Sequence, residues 1–162
     1  MAIPDARDRR RRSPTHDELR TWRSFIETSE RVKRVVADRL QQDSGLSTGD
    51  YAVLLALSEA PQRRLRSSFL ATEVGWERSR LSHHLGRMER RGLVRREPVP
   101  SDSRGAEIVL TEEGARLFRA GSAPHLRAVR AVFAEALSAG QLAALEDAMG
   151  SLDAHLRRED IG

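Results

Sequence analysis

The stretch GWERSRLSHHLGRMERRGLVRREPVPSDSRGAEIVLT, Gly75 to Thr111, decides the fold. Between Gly75 and Gly92, the segment from about Glu77 to Arg91 places Leu81, Leu85 and Met88 at i, i+4 and i+7, the inward stripe of a helix. Its other faces carry Arg78, Ser79, Arg80, Ser82, His83, Arg87 and Arg90. Gly92 ends that helix. Leu93 to Pro98 and Ala106 to Leu110 then read as two strands, the second turning Ala106, Ile108 and Leu110 toward the core. The turn formers between them leave Asp102 and Arg104 on a tip where nothing apolar can pack.

Working outward, Thr15 with Glu18 has capping-box spacing, and Leu19, Trp22, Phe25, Ile26, Val32, Val36 and Leu40 continue a first helix to Asp43-Ser44-Gly45. A second helix begins at Ser47, buries Tyr51, Leu54 and Leu55, and stops at Pro61. Ser67 or Ser68 caps a short third helix that Gly75 closes. Thr111 caps a fifth, with Glu112 and Glu113 where the helix dipole favours acids. It is expected to bend near Gly121 to Pro124 and to reach about Leu137. Ser138 and Gln141 form another capping box. The last helix then repeats Leu142, Leu145, Met149, Leu152 and Leu156 at alternating spacings of three and four, a seam suited to packing against helices of a second chain.

These elements describe a mainly α protein with a small β-hairpin wing. A winged helix-turn-helix over about 47–111 is flanked by dimerisation helices over about 15–43 and 112–159, so that 15–162 form a single domain. A disordered basic arm is expected over 1–14. The chain of 162 residues, 39% hydrophobic, suffices for one domain with a core. Cysteine is absent, which excludes disulfides and thiolate metal sites. The arginine-rich start lacks an apolar segment, and the apolar run Tyr51 to Leu57 is too short to span a bilayer. A cytoplasmic protein without a membrane partner is expected.

Charge is unevenly spread. Residues 76–104 hold eight Arg against four acids and residues 1–12 hold five against two, whereas 105–162 hold six basic residues against nine acidic. Positive charge concentrated on one helix, one hairpin and one tail is the footprint of a polyanion binder. An α-helix fits the major groove of duplex DNA, and Arg, Ser and His on its solvent face reach base edges. Arg78, Ser79, Arg80, Ser82, His83, Arg87 and Arg104 are therefore the candidate DNA contacts. Asp102 is assigned to holding Arg104 or the turn, and Gly105 to giving the turn backbone freedom.

No nucleophile, base and orienter assemble from any motif, so an enzyme is not expected, and neither is a cofactor. His83 and His84 point about 100° apart on a helix without a third ligand nearby, which argues against a metal. His84 is expected at the edge of the domain. Trp22, Phe25 and Tyr51 have core spacing. Two rival readings share the fold: a winged-helix protein-interaction module without DNA, and a nonspecific architectural DNA binder.

The chain resembles the MarR family of bacterial transcriptional regulators. The resemblance is carried by Asp102-x-Arg104 leading to Leu110-Thr111 and Gly114, by Leu85-x-x-Met88-Glu89-x-Arg91-Gly92-Leu93-Val94, and by flanking helices of matching length. It implies a homodimer with interlocked terminal helices, a palindromic operator on double-stranded DNA, and frequent control by a small-molecule effector. The chain departs from the common pattern at Glu77, where Ser or Thr usually caps the helix, and at His84 and Gly86.

Overall fold

The computed structural model describes residues 13–99 and 102–159, with side chains for 13–99 and 105–158. The basic arm, but for Ser13 and Pro14, lies outside them. In chain order the elements are α1 (His16–Ser44), α2 (Thr48–Glu59), β1 (Arg64–Arg66), α3 (Ser67–Glu73), α4 (Arg78–Arg90), β2 (Val94–Val99), β3 (Asp102–Leu110), α5 (Glu112–Val132) and α6 (Ala139–Glu159). Residues up to Val35 form one unit and those from Val36 onward a second.

In the first unit, the capping box opens α1 as its spacing predicts: Thr15 N–H donates to Glu18 Oε2 at 2.6 Å, and Glu18 N–H to Thr15 Oγ1 at 3.3 Å. Trp22 and Phe25 tilt against each other, 6.2 Å between ring centroids. Both are exposed in the protomer, Trp22 by 60%. Core spacing therefore does not place Trp22 and Phe25 in a core: with Leu19 and Ile26 they lie exposed along α1, because helical period marks an apolar face and not its burial.

The second unit holds the core. Leu54 and Leu57 of α2, Leu70 of α3, Leu81, Leu85 and Met88 of α4, and Ile108 of β3 are fully buried together. Leu55, expected inside, is exposed, and Val53 takes the inward place. Ser47 and Asp50 form the capping box of α2, Asp50 N–H donating to Ser47 Oγ and Ser47 N–H to Asp50 Oδ2, both at 3.0 Å. Neither serine caps α3, whose N-cap position is held by Arg66 with no side-chain capping bond. The reason is β1, three residues too short to show periodicity, which delivers the chain straight from strand to helix.

The sheet has the order β1-β3-β2, antiparallel throughout. Glu97 and Glu107 face each other in its register, a repulsive cross-strand pair. Arg64 relieves it: its Nη1 donates to Glu97 Oε2 at 3.2 Å and to Glu107 Oε2 at 3.3 Å. Pro98, which cannot donate to a ladder, lies on the edge strand β2 beside an irregularity at Pro98/Val99. Both strands run further into the hairpin than alternation alone indicated.

Thr111 explains the Leu-Thr…Gly signature at the end of β3. Its Oγ1 accepts from Gly114 N–H at 3.0 Å, capping α5, and its hydroxyl lies 2.6 Å from Gly92 O and 2.9 Å from Leu93 O. A Cβ on Gly114 would come within 2.1 Å of the Leu93 carbonyl oxygen, so only glycine fits. Helix α5 runs as one helix through Gly121 to Pro124 and ends at Val132, short of the expected Leu137, followed by a 3-10 turn at Ala134–Ala136. Among the described residues no single helix is long and apolar enough to cross a membrane.

Candidate nucleic-acid interface

Helix α4 separates its two faces as the sequence predicts. Leu81, Leu85 and Met88 are buried, while Arg78, Ser79, Arg80, Ser82, His83 and Arg87 are all exposed. Its N-cap Glu77 makes no side-chain capping bond. The helix follows α3 through a tight turn in which Gly75 adopts φ +65°, a conformation glycine takes without strain. Trp76 N–H reaches back to Ala71 O at 2.9 Å.

The hairpin is tied to this helix through Arg96. Its backbone N–H donates to Glu89 Oε1 at 3.1 Å, and its Nη2 donates to Ser82 O at 2.9 Å. The wing therefore has a defined attachment beside the exposed face of α4. Asp102 and Arg104 belong to β3 by their backbone, but their side chains lie outside the described residues. Gly105 is half-buried within β3, past the turn.

His84 does not lie where the sequence places it. It sits inside the domain, 8% exposed, and not at its edge. Its Nε2 lies 3.0 Å from Asp50 Oδ1, in poor alignment for a hydrogen bond, and Arg87 Nη2 lies 2.9 Å from its Nδ1. A guanidinium can only donate, so Nδ1 must accept and the ring is neutral with its proton on Nε2. Burial holds the imidazole below its usual range; the Asp50 carboxylate pulls it up, and Arg87 and Arg91 push it down again.

Asp50 itself gave no functional signal in the sequence. Its side chain is 3% exposed and accepts from Arg91 Nη1 at 2.7 Å, while Arg91 Nη2 reaches Gly45 O at 3.1 Å. Burial raises the carboxyl pKa, but the bonds from Arg91 and Ser47 outweigh it and the net shift is downward. Trp76 completes the cluster. It meets His84 edge-on, 5.1 Å between centroids at 82°, and the Arg80 guanidinium carbon lies 4.4 Å from its ring centroid.

Tyr51 packs as its spacing suggested, 5.2 Å from Phe118 and 4.3 Å from His125 between ring centroids. Burial lowers the His125 pKa. On α6, Leu142, Leu145 and Met149 are half-buried and Leu152 and Leu156 exposed, so no residue of the seam is fully covered within the protomer.

A tri-helical core that presents one basic helix beside a β-hairpin defines a winged helix-turn-helix protein. The model of the MarR family matches residues 44–105. AbsC, a MarR family transcriptional regulator from Streptomyces coelicolor, has a TM-score of 0.82 and 38% identity, covering 90% of this chain and 98% of AbsC. Sco3205, a MarR family regulator of the same organism solved in complex with DNA, has a TM-score of 0.83 and 38% identity over 90% of this chain and 91% of its own. The transcriptional regulator HosA of Escherichia coli O111:H- is 37% identical over 78 residues, 46% of this chain and 54% of HosA, so the match spans about half of that relative. The chain belongs to the MarR family: it is a transcriptional regulator and not an enzyme.

Proposed function

We propose that this chain acts in the cytoplasm as a homodimer that binds a palindromic operator on double-stranded DNA and represses transcription until a small ligand releases it. The observation that carries the reading is the outer face of α4, where six polar or cationic side chains stand exposed above a buried apolar stripe. Arg78, Ser79, Arg80, Ser82, His83 and Arg87 read the major groove, and Arg104 at the wing tip meets the minor groove and phosphate. Asp102 and Gly105 support that tip. The DNA complex of Sco3205 favours the same use of the fold here. Dimerisation draws on the exposed seam residues of α6 and on the exposed apolar residues of α1, each of which a monomer would leave in water.

Selection from a randomised duplex library, with light scattering on the same protein, tests the reading. The expected site has dyad symmetry with half-sites about one helical turn, roughly 10 bp, apart, bound by a particle of twice the chain mass. An asymmetric site, or a stable monomer at micromolar concentration, would overturn it.

A further inference from the structure

Arg80 is exposed, yet it is not left to wander. Its guanidinium lies over the ring of Trp76, 4.4 Å from the centroid, well within cation–π range. Trp76 is in turn wedged. Its backbone is pinned to Ala71, His84 meets its ring edge-on, and α2 closes the remaining side at Gly49, where a Cβ would come within 2.8 Å of Trp76 Cη2 and 2.9 Å of His84 Cε1. His84 is itself held between Asp50 and Arg87. Three elements thus converge on the orientation of one indole, which carries one candidate base-reading cation.

We propose that Trp76 is a positioning residue for sequence recognition: its ring, wedged by His84 and the bare Cα of Gly49, presents the Arg80 guanidinium to a base edge. The proposal rests on the reading of α4 as the helix that enters the major groove. An unrestrained arginine loses rotamer freedom when it docks, and a cation already placed over a ring has surrendered much of that freedom before DNA arrives. A sited guanidinium keeps its N–H groups for the paired acceptors of a guanine, the commonest bidentate contact in the groove. The effect of Trp76 must therefore appear as base discrimination, not as general affinity for phosphate.

The test uses the full chain and the duplex that the wild type selects from a random library, together with single-base-pair variants of it and a scrambled duplex. Arg80→Ala should flatten the preference at one base pair in each half-site. Trp76→Leu should flatten the same base pair and weaken the selected duplex by roughly 2- to 10-fold, leaving the scrambled duplex unchanged. Trp76→Phe, which keeps an aromatic face, should fall between wild type and Trp76→Leu. In the Arg80→Ala background, Trp76→Leu should add nothing further. Should Trp76→Leu fail to fold, Trp76→Phe and Gly49→Ala carry the test, the latter displacing the ring from a different helix and flattening the same base pair. Additive losses, equal losses on selected and scrambled DNA, or a Phe variant no better than Leu would overturn the proposal and leave the DNA reading standing. A wild type that selects no site would overturn both.

Discussion

Asp50 Oδ2 accepts from Arg91 Nη1 at 2.7 Å, and through that bond the C-cap of the basic helix α4 is locked to the first turn of α2. The carboxylate is almost wholly buried, while the guanidinium reaches solvent. With His84 on its other oxygen, Asp50 is where the basic helix α4 meets the helix that supports it.

Asp50 is the buried member of its pair with Arg91 and also forms the capping box of α2, so its removal loses both the ion pair and a cap bond. Asp50→Ala should therefore destabilise the fold by about 1–3 kcal/mol, Arg91 being free to rehydrate. Urea unfolding at a fixed protein concentration checks this, and a loss below about 1 kcal/mol would class the pair with exposed ones.

The pH dependence has a defined sign. His84 and His125 are both held below the usual imidazole value in the folded chain, so the unfolded chain binds their protons first. Their contribution is complete above about pH 6.5 and declines as the pH falls below it. Asp50, also lowered, adds a second decline that begins as the pH falls toward about 4. Thermal unfolding across this range should show stability falling in two stages. Arg91→Ala removes the main bond that lowers Asp50 and leaves burial opposed by Ser47 alone, so its acid limb should shrink or reverse; an unchanged limb would exclude Asp50 as its source.

Gly114→Ala drives a methyl group into the Leu93 carbonyl oxygen. Backbone cannot swing aside as a side chain can, and the expected cost is about 1–3 kcal/mol or more. Circular dichroism melts should show it, whereas Gly86→Ala, with nothing within 4 Å of the added carbon, should be neutral or stabilising.

If α6 forms part of the dimer interface, Leu145→Asp with Leu152→Asp should shift the light-scattering mass toward one chain and weaken DNA binding with it. Retention of the dimer would place the interface elsewhere.

Arg104→Ala should weaken selected and scrambled duplexes to a similar extent, and lower the slope of log K against log salt by about one unit for each phosphate that the guanidinium no longer neutralises. Changed base preference in the half-sites would assign Arg104 to the major groove.

Short-range periodicity determined a great deal. Leu81, Leu85 and Met88 defined the buried side of α4, and so left the six exposed candidates on the other. Thr15, Thr111 and Ser138 announced helix starts because a cap and the N–H groups it satisfies are neighbours in the chain. What periodicity could not reach was any choice made between distant segments. A histidine beside another histidine reads as lying at the domain's edge until Asp50 and Gly49 are brought against it, and nothing local to Trp76 shows that Arg80 lies over its ring. The three residues of β1 carry no period of their own and become a strand only by pairing with β3. Likewise, the stripes on α1 and α6 are apolar by sequence, but only the structure shows how much of each the chain leaves exposed. Caps and amphipathic faces are local in the chain and can be read from it; burial of a polar group depends on which remote partner satisfies it, and only the tertiary structure supplies that partner.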